Sequence, residues 1–412
     1  MRSRDLRLDV FRGLALVVLL IDHAEELSQV QLVSYLTYAP LGVSTAAELF
    51  IFLSGLVFGL TYEAVLRTHG YVRLHARCLA RAWQIYLLHV ASLVFTMGAV
   101  TAIARYMNAG DATTIFPQHG LVVSNEMLLG FLQLRANPQY FDILPLYIVL
   151  VLFVPFLFPL LHKWPWAGLG VSAAAYGIAQ LAAAQDSAGA LPFAASLYYS
   201  PLAWQFLFVI GITAGFRAAR GGPFPRLHGR QLLVAVTVLV VVALWYKGVR
   251  VSALLGWFGD AHVHGRSVPY DVPFTDKSTL GVLRLLHFLL LATLVAQFGP
   301  RPDSKFWKTG PCRALALCGR QSLEMFIVGL TLTYAIGATM RVAEGGFGLM
   351  LFFDAAGILI LLACAHVVSW RKREPWRSPM PDSAVMSALS RFKGSAPPFG
   401  ETSHSVRPPR VV

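Results

Sequence analysis

Apolar residues in this chain come in long blocks, with the polar residues gathered in the gaps. The blocks recur at about 10–28, 44–66, 83–104, 141–162, 166–184, 201–219, 232–258, 280–298, 314–340 and 349–370. Roughly twenty apolar residues in helical geometry cross the hydrocarbon core of a bilayer. The pattern therefore predicts an all-α, polytopic integral membrane bundle of about ten transmembrane helices over residues 1–370. Residues 371–412, rich in Pro, Ser and Arg, read as a basic, disordered cytoplasmic tail. The N-terminus runs into the first block without a small-residue cleavage site, which marks a retained first helix rather than a signal peptide.

Composition sharpens this picture. Hydrophobic residues make up 56% of the 412 and charged residues only 13%. Soluble domains carry about a quarter charged residues, so a disordered chain and most water-soluble folds are excluded. The formal net charge of +13 would suggest nucleic acid in a soluble protein. In a membrane protein the distribution matters more, because short cytoplasmic loops collect Lys and Arg. With the N-terminus inside, 26 of the 34 Lys and Arg fall on the cytoplasmic side. That bias predicts both ends inside, and no nucleic-acid partner. Cys78, Cys312, Cys318 and Cys364 form no readable disulfide framework, and neither a metal site nor a bound cofactor is expected.

Against this apolar background, ionisable residues inside the spans are the functional signal, since each is costly to bury. The first span carries Asp9, Arg12, Asp22, His23, Glu25 and Glu26. Arg12 and His23 are eleven residues apart, within about 20° of the same helix face and about 16 Å apart along the axis. One stripe thus joins a cation near the cytoplasm to an imidazole in the outer half. Asp9 is placed to pair with Arg12, and Asp22 points about 100° away from His23. In the second span Glu48 lies at nearly the depth of His23, ~7 Å below the outer end. A carboxylate there is expected to orient the imidazole as a general base. Pairing with an arginine is the alternative reading of Glu48.

Arg73, Arg77 and Arg81 recur every four residues and form one cationic edge leading into the third span, suited to phosphates. Asp142 and Arg284 near the outer face could line an acceptor pocket. Arg320 near the inner face could join the anion site. Ser54 and Gly55 are expected to serve close helix packing, and His89 to serve packing as well. Aromatics such as Trp204 and Phe208 are candidate sugar platforms, though a membrane-interface belt also accounts for such residues.

These segments resemble a known family. Arg4-Asp5-Leu6-Arg7-Leu8-Asp9-Val10-Phe11-Arg12 with Asp22-His23, Ala46-Ala47-Glu48-Leu49-Phe50 and Tyr140-Phe141-Asp142 are similar to the OpgC family. So are Pro201-Leu202-Ala203-Trp204, Asp276-Lys277-Ser278-Thr279-Leu280 with Arg284 and His287, and Gly319-Arg320-Gln321-Ser322. That family comprises the succinyltransferases of osmoregulated periplasmic glucans and is similar to the wider acyltransferase 3 class. The resemblance implies transfer of an acyl group, succinyl by family, from cytoplasmic acyl-CoA to a glucan or other glycan hydroxyl outside the bacterial inner membrane. It implies a catalytic histidine at His23, with Asp22 in the same motif, and Arg12 before it with ten residues between. The wider class carries two arginines separated by two residues near its third helix, whereas three residues separate Arg77 from Arg81. Direct attack and a covalent acyl-histidine are both compatible with these residues. Two other classes stand beside this enzyme. A proton-coupled transporter would use the same buried acids, but no inverted repeat is readable. A non-catalytic scaffold would not need a titratable pair at matched depth.

Overall fold

A computed structural model describes residues 5–31, 33–37, 42–110, 115–116, 124–185, 197–222, 224–254 and 274–373. The predicted tail from residue 374 and most of the outer segment 259–279 lie outside these. The first compact unit runs over Met1–Val367, and a second begins at Val368, of which only the last turns of one helix are described.

The described residues form helices and no strand. In chain order they are α1 (Leu6–Ser28), α2 (Ala46–Tyr106), α3 (Asn125–Leu132), α4 (Ile143–Lys163), α5 (Pro165–Ala184), α6 (Pro201–Ala219), α7 (Arg230–Leu254), α8 (Val282–Phe298), α9 (Gly310–Arg320), α10 (Ser322–Val342) and α11 (Phe347–Lys372). Six of them, α2, α4, α5, α6, α10 and α11, are long and apolar enough to cross a membrane. The first helix is long enough too, but its ionisable residues keep it out of that set. Many large apolar side chains face outward, including Phe156, Trp166 and Val94. An apolar exterior of this kind suits a lipid surroundings rather than water.

Helix ends follow local rules. Asp5 caps α1 by accepting the N–H of Arg7 at 3.0 Å. Thr45 and Glu48 form a capping box at the start of α2.

Two apolar blocks turn out to share one helix. With 61 residues, α2 would extend about 90 Å, three times the hydrocarbon thickness, if it were straight. It breaks at Gly70, whose φ of 73° and ψ of −175° are outside the helical region. No atom would obstruct a Cβ there, so backbone conformation rather than space calls for glycine. The block 314–340 behaves in the opposite way and divides at Gln321 into α9 and α10. The division lies where Arg320 turns to Asp9 and Gly319 lies against the Asp9 carbonyl. The apolar stretch near 121–134 contains the short α3, capped by Ser124.

A close crossing joins the first half of α2 to α6. Gly55 and Gly59 lie against the carbonyls of Phe208 and Ile212, and Gly211 and Gly215 lie against those of Phe52 and Leu56. Both helices carry the small-x-x-x-small spacing, which lets backbones touch where no hydrophobic effect separates helix from lipid. Around this seam Phe208 and Phe158 are fully buried and pack on Phe58.

Candidate functional site

The polar stripe of α1 faces protein. Leu16, Leu19, Leu20 and His23 form one wall of a cleft whose other wall is Phe326, Gly329, Leu330 and Thr333 of α10. The cleft is open to solvent, and about 250 Å³ of empty space lies along it with that solvent included. Arg12 lies one turn below Leu16 on the same helix, so the cleft follows the stripe from the turn above the cation to the imidazole.

At the upper end His23 is half-buried and its ring stacks on Tyr140, centroids 3.8 Å apart and planes 13° from parallel. This stack fixes the ring plane without occupying a ring nitrogen. The acids of the last α1 turns are held separately. Glu25 accepts the N–H groups of Val33 and Ser34 and the Ser34 hydroxyl. Glu26 accepts from Gln139 at 3.3 Å.

A cation reaches this end from a distant loop. Residues 274–281 fold into a tight turn in which the Asp276 carboxylate accepts four bonds, from the N–H and hydroxyl of both Ser278 and Thr279. Burial alone would raise the Asp276 carboxyl, but those bonds outweigh it and hold the group below its ordinary value. The turn docks through its carbonyls. Trp204 Nε1 donates to Lys277 at 3.1 Å, Gln180 to Thr279 at 2.6 Å, Tyr176 to Leu280 at 2.8 Å and the Ser200 N–H to Ser278 at 2.8 Å. From this fixed backbone the half-buried Lys277 extends its ammonium to within electrostatic reach of Asp22, His23 and Asp142. Asp142 stands at the N-terminus of α4. The structure thus gathers three sequence-predicted residues around a fourth that residue-by-residue reading passed over.

Glu48 is placed differently from the expectation. Its Oε1 accepts Arg284 Nη1 at 2.8 Å, and its Oε2 accepts the N–H and hydroxyl of Thr45, each at 2.8 Å. Both oxygens are engaged away from His23, so Glu48 does not orient the imidazole; the alternative of an arginine pair is the one observed. The physical cause is that Arg284 is 8% exposed and a buried guanidinium requires a counter-charge. Arg284 also donates to the Thr275 carbonyl at 3.1 Å, tying the 274–281 turn to the start of α2. Beside this pair, Ser44 bonds His287 Nδ1 at 2.8 Å. Trp204 is fully buried beneath the turn, which removes it as a sugar platform; Tyr140 is the aromatic at the histidine.

The lower end carries the other predicted cations. Arg320 pairs with Asp9 at 3.2 Å, one turn from Arg12. Arg77 is exposed and Arg81 half-buried, and both act electrostatically on Tyr62, across the Gly70 break. Arg81 also bonds Gln84 at 2.8 Å. Glu63 and Arg220 form a further pair at 2.8 Å. Buried His89, expected to be a packing residue, stacks on Phe131 with centroids 4.0 Å apart.

These observations define a class: an all-helical, membrane-type bundle with a polar, histidine-centred site at one end and cationic side chains at the other. The chain belongs to the OpgC family, whose model, described as OpgC protein, matches residues 4–373. No curated protein and no solved structure shows a match. Membership implies an acyltransferase, as the resemblance of the motifs anticipated.

Proposed function

We propose that this chain is an integral-membrane O-acyltransferase of the bacterial inner membrane. It moves a succinyl group from cytoplasmic succinyl-CoA to a hydroxyl of a periplasmic glucan. In this reading the bundle spans the membrane about ten times with both ends inside, and no bound cofactor takes part. The observation that carries the proposal is the cleft along α1, which runs up from near Arg12 to the imidazole of His23.

The CoA phosphates are held at the lower end by Arg77 and Arg81 on one side and Arg12 with Arg320 on the other. The pantetheine arm lies in the cleft between α1 and α10, whose apolar walls exclude water from the thioester. At the top, His23 takes the proton from a sugar hydroxyl as its oxygen attacks the thioester carbonyl. The C–S bond breaks, the new C–O ester bond forms, and the imidazolium returns its proton to the departing thiolate. Tyr140 keeps the ring in plane, and Asp142 with Asp22 offers acceptors to the hydroxyls of the glycan.

The test is purified protein in vesicles with labelled succinyl-CoA on the Arg77 side and glucan on the other. Label on the sugar supports the enzyme, whereas unmodified sugar crossing the membrane supports a transporter. His23→Ala should lower transfer by about 10²–10⁴-fold with the protein still inserted. Normal transfer by that variant removes His23 from the mechanism.

A further inference from the structure

Lys277 is the group at this site that the mechanism above does not use. Its backbone is fixed by the Asp276 turn and by the Trp204 indole, yet among the described residues no ion pair or hydrogen bond takes its ammonium. The neighbouring cations are committed. Arg284 is held by Glu48 and the Thr275 carbonyl. Arg341 donates to the carbonyls of Leu27 and Ile115. Lys277 is therefore a half-buried cation, within reach of His23, that still has its bonding capacity to give.

Its position narrows what it can bind. The 274–281 turn docks at the N-terminal end of α6 and leads into α8, and its lysine is within electrostatic reach of His23, eleven residues along α1 from Arg12. A donor entering from the Arg12 end presents its thioester at His23 first. Only its acyl chain would continue past the imidazole, and Lys277 is the cation within electrostatic reach of His23 and of the neighbouring Asp22 and Asp142. Apart from His23 and the neutral Thr333 the walls are Leu16, Leu19, Leu20, Phe326, Gly329 and Leu330, so the cleft lining offers an anion on the acyl chain no Lys or Arg.

We propose that Lys277 is the specificity-determining residue for the donor, pairing with the distal carboxylate of a dicarboxylic acyl thioester such as succinyl-CoA. This rests on the acyltransferase reading of the same site. A flexible ammonium is suited to the task, because it is a point charge that follows a mobile carboxylate. Asp22 and Asp142 are the carboxylates within its electrostatic reach.

The experiment compares succinyl-CoA with butyryl-CoA, a donor of equal chain length without the charge, using the full chain in vesicles with glucan as acceptor. For Lys277→Met the ratio of kcat/KM for succinyl over butyryl should fall about 10- to 100-fold, the worth of a lost charge-assisted bond. Lys277→Arg, which keeps the charge, should recover most of the ratio. Thermal unfolding of each variant reports folding separately, and the docking bonds of Lys277 come from its backbone carbonyl. A ratio that stays at the wild-type value in Lys277→Met, including a loss shared equally by both donors, overturns the proposal. A wild-type protein that transfers from neither thioester overturns the acyltransferase reading itself, which distinguishes the two failures.

Discussion

The Glu48–Arg284 pair offers a quantitative test of how the site is held. Glu48 is fully buried and the Arg284 side chain 10% exposed, with 2.8 Å between them. Removing one partner of such a pair strands a buried charge and costs roughly 3–5 kcal/mol. Glu48→Ala should therefore destabilise by about that much, and it also releases the Thr45 N–H and hydroxyl, about 1 kcal/mol more. Arg284→Met leaves the carboxylate uncompensated and should cost a similar 3–5 kcal/mol. The two changes together remove both charges, so the double variant should lose no more than one of the singles, giving a coupling energy of about 3 kcal/mol or more. Equilibrium unfolding of detergent-solubilised protein measures all four corners of the cycle. Transfer rates measured in parallel separate two roles. If the pair anchors the 274–281 turn, Arg284→Met alone should lower activity as much as Glu48→Ala does. Additive losses of stability would refute the buried-pair argument. Full activity in Arg284→Met beside an inactive but folded Glu48→Ala would return Glu48 to the imidazole.

Three further outcomes follow from the same structure. Gly59→Leu, set against the Ile212 carbonyl, should force α2 and α6 apart and cost at least 1–3 kcal/mol, visible as a lowered midpoint of unfolding; wild-type stability would contradict the close crossing. The Asp276 carboxyl sits below its ordinary value of 3.8, so its contribution is complete at neutral pH and is lost only as pH falls through that lower value. Asp276→Asn should therefore cost about 1–2 kcal/mol at pH 7 and flatten the stability profile below about pH 4, and an unaltered acid limb would argue against the turn. Arg77→Ala with Arg81→Ala should weaken CoA binding at least tenfold, about 1.4 kcal/mol, measured by equilibrium binding, with an unchanged affinity relocating the phosphate site.

The sequence made the helices legible because apolar blocks of spanning length need no partner to be recognised. The α1 stripe was legible for the same reason: residues on one helix keep their angular relation whatever surrounds them. Gly55 likewise announced close packing by its small size. What could not be read was azimuth between helices. Glu48 and His23 were matched in depth, but depth leaves rotation about each axis undetermined, and Glu48 turns to Arg284. The break at Gln321 was hidden because the apolar residues of the amphipathic α9 lead straight into the apolar α10, while the Arg320–Asp9 contact that accompanies the break joins residues far apart in the chain. Lys277 was beyond reach since its position depends on a loop docked some 250 residues away from His23 in the chain. The one available signal was the Asp-Lys-Ser-Thr run, whose acceptor and hydroxyls predict a self-capping turn and thus a fixed, not a wandering, lysine.

The single-residue joint at Gly70 leaves α2 with no slack. From the buried Glu48 in its first turn to Arg77 and Arg81 beyond the break, the chain is helix throughout except at that glycine. Adding or deleting one residue on either arm would swing everything beyond it through roughly 100°, turning the arginines away from Tyr62 or the carboxylate away from Arg284. The spacing from Glu48 to Arg81 should therefore resist insertion and deletion over evolutionary time far more strictly than the identity of the outward-facing side chains between them.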